Sequence, residues 1–181
     1  PAQDGAAERV AHQPDFELGA NAVIRGRSAV IGLAAGQVTR RSRDAVNLPR
    51  NGETATIERQ RLTAALFKVR ERLATEAGGP HGAIAAAHRE LLDDPALIEA
   101  AEADITGGRS AEWAWNAACV GQAELLAALS DARMAERAAD MRDIAAQILA
   151  ALAGRSGVSG LSALPAGSIV LADEVLPSEM A

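Results

Sequence analysis

The sequence predicts a mainly α-helical protein, a helical bundle flanked by short strands. Three features lead there. Apolar residues make up 49% of the 181, but much of that is alanine and the aromatics are two Trp and two Phe, which favours close-packed helices over a sheet sandwich. Between Thr54 and Ala153 the apolar residues recur every three or four positions, the period of one helix face. Outside that window, runs rich in Gly, Val and Ile read as short strands.

Residues 1–20 mix Pro, Gly, Ala, Gln and acids without periodicity and read as a linker. Asn21 to Val38 follows with Gly26, Gly32 and Gly36, too many glycines for a helix, so short strands with a bulge or turn are expected within 21–50. A phosphate-cradling glycine loop is the sharper alternative, but the Lys-Ser/Thr ending and a following helix are missing. Arg40 to Arg50 is basic, and Pro49, Asn51 and Gly52 break it.

The helical part is expected over 51–154. Thr54 or Thr56 caps a first helix running to about Ala77, with Leu62, Leu66, Val69 and Leu73 as its stripe. Gly78-Gly79-Pro80 ends it and starts a second helix, to Leu92, with Ile84, His88 and Leu91 on one face. His88 on an apolar side reads either as a satisfied core or rim histidine or as a catalytic base. Asp94-Pro95 breaks and restarts the helix, which continues to Ile105. The window His88 to Ile105 holds six acids against Arg89, and reads either as a solvated face or as a docking surface for a basic partner.

Ser110 caps a third long helix, to about Leu129, with Trp113, Ala117, Val120 and Leu125 inward, and Gly121 marks a possible close approach. The fourth spans Met134 to Ala153 behind Ser130 and Asp131, with Met134, Ala138, Met141, Ala145, Ile148 and Leu152 as its stripe and Gly154 as its stop. Its polar side crowds Glu136, Arg137, Asp140, Arg142 and Asp143 into two turns. Glu136 and Asp140 repel at i, i+4, and an Arg137–Asp140 ion pair is expected. This face reads as a surface charge network or as a binding site. Residues 155–181 make a hinge and then a buried strand, Ile169 to Ala172, before a turn at Pro177-Ser178.

Several function classes are disfavoured. A net charge of −6 argues against nucleic-acid binding. Cys119 is alone, and His12, His81 and His88 lack metal-ligand spacing. No apolar run reaches the roughly 18 residues of a membrane span, and no signal peptide is visible, so a cytoplasmic context is expected. The start at Pro1 without Met and the stop soon after a strand suggest a piece of a longer protein.

Four strings then resemble one family in order and spacing. They are Ala87-His-Arg-Glu-Leu-Leu-Asp-Asp-Pro-Ala-Leu97, Gly108-Arg-Ser-Ala-Glu-Trp-Ala-Trp115, Ala135-Glu-Arg-Ala-Ala-Asp-Met-Arg-Asp-Ile144 and Ile169-Val-Leu-Ala-Asp-Glu-Val-Leu-Pro-Ser178. Gly26 and Gly32-Leu-Ala-Ala-Gly36 fit the opening frame, though Val30-Ile31 stands where Ser-Pro is usual. The family is Enzyme I, the phosphoenolpyruvate–protein phosphotransferase of bacterial sugar uptake. Val-Leu-Pro-Ser, in place of Leu-Thr-Pro-Ser, is similar to modules fused inside fructose-type multiphosphoryl transfer proteins.

The resemblance implies a fold and a role. A four-helix bundle that docks the phosphocarrier HPr is inserted in an α/β swivelling phosphohistidine domain, here incomplete. His88, Leu91, Asp94, Leu97, Gly121, Leu126 and Arg137 fall on the implied HPr-binding surface, while Gly79, Pro80 and Ala96 replace acids usual there. The family's Gly-Gly-x-Thr-Ser-His string, with the reactive histidine, is not in this sequence. Nor is the C-terminal phosphoenolpyruvate-binding domain, which would be a partner within a parent chain and uses Mg²⁺. No catalytic residue, metal or cofactor is therefore expected in this chain. Two other readings stay open: a helical scaffold without phosphotransfer, and the Enzyme I-like part of a dihydroxyacetone phosphotransfer subunit.

Overall fold

The computed structural model describes residues 29–41, 48–79, 82–129, 131–155, 161, 164–172 and 175–179. The expected linker 1–20, Gly26, His12, His81, Pro80, Ser130 and most of the hinge lie outside them. Two compact units result, one holding both strands and the other the helices.

In the first unit, β1 (Gln37–Arg41) pairs in parallel with β2 (Ser168–Ala172), in the register Gln37 with Ser168 through Arg41 with Ala172. A parallel pair needs a long crossover, and here the whole helical stretch supplies it. The return strand falls where expected but is not buried: Ser168, Ile169 and Val170 are half-buried, and Leu171 and Ala172 are exposed. The first strand falls within the expected 21–50; of the described residues before it, 29–36 are irregular, with Val30, Ile31 and Leu33 exposed. With a five-residue partner, pairing can extend no further than Gln37–Arg41.

The second unit contains α1 (Ala55–Glu76), α2 (Gly82–Leu92), α3 (Pro95–Thr106), α4 (Ala111–Ala127) and α5 (Ala132–Leu152). Their starts are chemically specified. Thr54, Asp94, Ser110 and Asp131 each accept an amide of the first turn, and Pro95 needs no amide partner there. Gly154, at φ +74°, takes the left-handed turn that ends α5. A 3-10 turn, Pro177–Glu179, belongs with this helical unit and packs on α5, although it follows β2 closely in sequence.

The core runs along Leu62, Leu66, Val69 and Leu73 of α1, Ala85 and Leu92 of α2, Leu97, Ala101 and Ile105 of α3, and the α4–α5 pair. On α5 the expected stripe is buried at Ala138, Met141, Ala145 and Ile148. On α4 the expected phase is wrong. Ala111, Ala114, Trp115, Cys119 and Ala123 face inward, Trp113 is half-buried under the Arg50 guanidinium 5.2 Å from its ring centroid, and Leu125 is exposed. Alanine explains the shift: small side chains let α4 and α5 approach closely, so the buried face follows Ala and Cys rather than the largest apolar residues. α2 is rotated likewise, with Ala85, His88 and Leu92 buried and Ile84 partly exposed.

Candidate functional site

Short connections make α3 and α4, and then α4 and α5, antiparallel neighbours. The end of α2, the start of α3, the last turns of α4 and the first turns of α5 therefore lie toward one end of the bundle. That end gathers Leu91, Asp94, Leu97, Gly121, Leu126 and Arg137, with His88 one turn behind Leu91. Arg137 and Gly121 are exposed; Leu91, Asp94 and Leu126 are half-buried; Leu97 and His88 lie beneath the surface, at 3% and 2% exposure. Leu125 and Leu129 stand exposed beside Leu126. Gly121 marks no close approach, since an added Cβ would meet nothing within 4 Å.

The acids of this end divide by task. Asp93 pairs with Arg70 at 2.7 Å, and Asp94 accepts the Ala96 amide at 2.9 Å. Glu99 and Glu102 remain exposed along α3. Arg137 does not form the expected pair with Asp140 and makes no ion pair among the described residues. Asp140 faces α2 instead, its Oδ1 3.5 Å from His88 Nε2.

His88 is the centre of a buried polar cluster. Arg72 Nη2 of α1 donates to Gln147 Oε1 at 2.5 Å, and Gln147 Nε2 lies 3.3 Å from His88 Nδ1. On the other side of the ring, Asp143 Oδ2 is 3.9 Å from Nε2. Asp143, fully buried, accepts the Ser178 amide at 2.9 Å and the Ser178 hydroxyl. A cleft of about 40 Å³ adjoins the cluster, lined in part by Arg72, Glu76, His88, Gln147 and Ser178. The expected surface network on α5 is thus partly internal: Asp143 is a buried acceptor.

A second cluster fixes the opposite end. Glu58, 2% exposed, accepts the amides of Glu53 and Ala111, each at 2.9 Å, and the Arg61 guanidinium at 2.7 Å. Arg61 also bonds Glu112. Burial alone would raise the Glu58 carboxyl; the two amides and the Arg61 charge outweigh it and hold the group below its ordinary 4.5. Gly52 makes this possible, because a Cβ there would sit 2.7 Å from Glu58 Cγ and 2.8 Å from the Arg109 carbonyl oxygen.

Residues 25–137 match the family model described as "PEP-utilising enzyme, N-terminal". The chain belongs to that family. Over 105 residues it is 39% identical to a multiphosphoryl transfer protein of Rhodobacter capsulatus, covering 58% of this chain and 12% of that one. Over 167 residues it is 30% identical to a phosphoenolpyruvate-protein phosphotransferase of Geobacillus stearothermophilus, covering 87% and 29%. A solution structure of an Enzyme I protein aligns with a TM-score of 0.57 and 28% identity, over 87% of this chain and 67% of that chain. The chain thus spans less than a third of the length of either sequence relative. As a member of this family it is mainly helical, and none of its helices among the described residues is long and apolar enough to cross a membrane.

Sequence reasoning missed Gln147, Ser178, Glu58 and Arg61, and it placed Asp143 on the surface. One signal was present. Asp140, Asp143 and Gln147 recur at i, i+3 and i+7, the spacing of a buried stripe written in polar residues.

Proposed function

We propose that this chain is the carrier-docking part of a phosphoenolpyruvate-dependent protein phosphotransferase, and that the end of the bundle around Leu91 and Arg137 receives an HPr-like phosphocarrier domain. The observation that carries this reading is the convergence of Leu91, Asp94, Gly121, Leu126 and Arg137 on one accessible end, beside exposed Leu125 and Leu129. A leucine patch with exposed Glu99 and Glu102 on α3, and with the Arg137 guanidinium making no ion pair among the described residues, suits a partner that presents apolar and basic groups. Leu97 and His88 support that surface from beneath.

Phosphoryl acceptance by the chain itself is not part of the reading. A phosphohistidine must offer a ring nitrogen to an incoming phosphoryl group, and His88 is enclosed by α5. The missing acids at Gly79, Pro80 and Ala96 make affinity for a detached carrier weak, which tethering in one longer chain would offset by effective concentration.

An NMR titration with an HPr-like carrier domain tests this. Shift changes should cluster on residues 91–97, 121–129 and 137, and Leu91→Glu should abolish them. Absence of any shift change with the wild-type protein at millimolar carrier would reject docking. The protein should also take no label from radioactive phosphoenolpyruvate with Mg²⁺.

A further inference from the structure

The polar cluster under the docking end has a defined proton arrangement. Arg72 has donors and no acceptor, so the Gln147 atom facing it must be the carbonyl oxygen. The Gln147 amide nitrogen then faces His88 Nδ1 as a donor. Nδ1 must accept, so the neutral ring carries its proton on Nε2. That N–H points toward Asp140 Oδ1 at 3.5 Å and Asp143 Oδ2 at 3.9 Å, within electrostatic reach and outside hydrogen-bond geometry.

The same cluster joins three parts of the unit. Leu91 lies one turn after His88 on α2, and Arg137 one turn before Asp140 on α5. Ala85 lines the adjoining cleft with Gln147 while His88 reaches Asp140, so α2 and α5 run antiparallel and Leu91 and Arg137 lie on the same side of the contact. Asp143 extends the cluster to Ser178. The groups that bear on the ring are Asp140 and Asp143 from α5, with Arg72 behind Gln147 and Glu76 across the cleft from α1. The 3-10 turn offers Pro177 and Ser178, neither charged.

We infer that His88 is a positioning residue for carrier docking: held as its Nε2–H tautomer by Gln147, it sets Leu91 of α2 against Arg137 of α5 without touching the carrier. The inference rests on the docking reading above. Its sequence cost is visible, since a buried imidazole between carboxylates is a poor way to gain stability and a good way to fix one relative placement of two helices.

The test has two readouts on the protein and an HPr-like carrier. Long-range ¹H–¹⁵N spectra, at a pH where the ring is neutral, should show His88 protonated on Nε2. Protonation on Nδ1 would overturn the inference without any variant. In calorimetric titrations, His88→Phe, which fills the ring volume but has no N–H, should weaken carrier binding tenfold or more. His88→Gln, whose amide nitrogen takes the place of Nε2–H, should restore most of it. If Leu91→Glu abolishes binding while His88→Phe leaves it unchanged, the positioning role is wrong and the docking reading survives. If Leu91→Glu has no effect, the docking reading itself fails. Should His88→Phe fail to fold, Gln147→Leu replaces it: loss of the single Nε2–H signature with weakened binding supports the inference, and an unchanged tautomer with unchanged affinity overturns it.

Discussion

Asp143 accepts both the amide and the hydroxyl of Ser178, across 35 residues of chain, and thereby fastens the Pro177–Glu179 turn to α5. Few single residues could replace it. Both bonds end on one fully buried carboxyl group, so truncation strands two donors and opens space beside the helix. Asp143→Ala should lower stability by about 2–4 kcal/mol, in the range for two stranded donors. Asp143→Asn keeps an acceptor and nearly the same volume, so it should cost much less, about 1 kcal/mol. Urea unfolding of both variants checks this, and equal losses would mean that packing rather than acceptance sets the cost.

Glu58 makes the stability of the helical unit pH-dependent. Its folded-state carboxyl lies below the ordinary 4.5, because amide hydrogen bonds and Arg61 together exceed the burial penalty. A depressed folded value means the unfolded chain binds the proton first as pH falls. The contribution is therefore complete above about pH 4.5–5 and is lost as pH falls through the folded value. Glu58→Gln should reduce stability at pH 7 and flatten the decline between pH 5 and pH 3. A variant whose acid limb matches the wild type would assign acid sensitivity to other carboxylates.

Cys119 lies on α4 within the helical core with no exposed surface, and burial pushes its thiol up to about 12. The reactive thiolate is then both scarce and screened near neutral pH. Native protein at pH 8 should resist iodoacetamide for hours and react promptly in 6 M urea, as followed by mass spectrometry. Fast labelling without urea would show that α4 opens locally, at a free energy well below that of global unfolding.

Helix boundaries were legible because their chemistry is local. Thr54, Asp94-Pro95, Ser110 and Gly154 act within one turn of themselves, and the structure uses each as read. The large stripes of α1 and α5 were legible for the same reason. The phase of α4 was not, because alanines carry little hydrophobic contrast, and which of them is buried depends on a neighbouring helix that the sequence does not place. The first strand falls within the expected 21–50, but its limits were not legible, because they are set by β2, more than 120 residues away. The buried cluster failed differently. Arg137, Asp140 and Asp143 look alike on a helical wheel of charges, and only the positions of His88 and Ser178 decide that Asp140 turns to α2, Asp143 goes inside and Arg137 stays out.

Arg137 offers the cleanest separation of docking from folding. Its guanidinium is exposed and forms no ion pair among the described residues, and its side chain lies off the buried Ala138–Met141–Ala145 stripe. Removing it opens no cavity and strands no buried partner, so the melting temperature of Arg137→Ala should match the wild type within about a degree. Binding is another matter. A guanidinium without an internal partner keeps its five donors for a carrier carbonyl or carboxylate, and such charge-assisted bonds gain strength once the interface excludes water. Arg137→Ala should therefore weaken carrier binding about tenfold or more, roughly 1.4 kcal/mol. Arg137→Lys should recover part of the loss through charge alone, but not the forked geometry. Circular dichroism melts and calorimetric titrations on the same samples decide the matter: a large fall in melting temperature with intact binding would make Arg137 a structural residue and remove α5 from the docking surface.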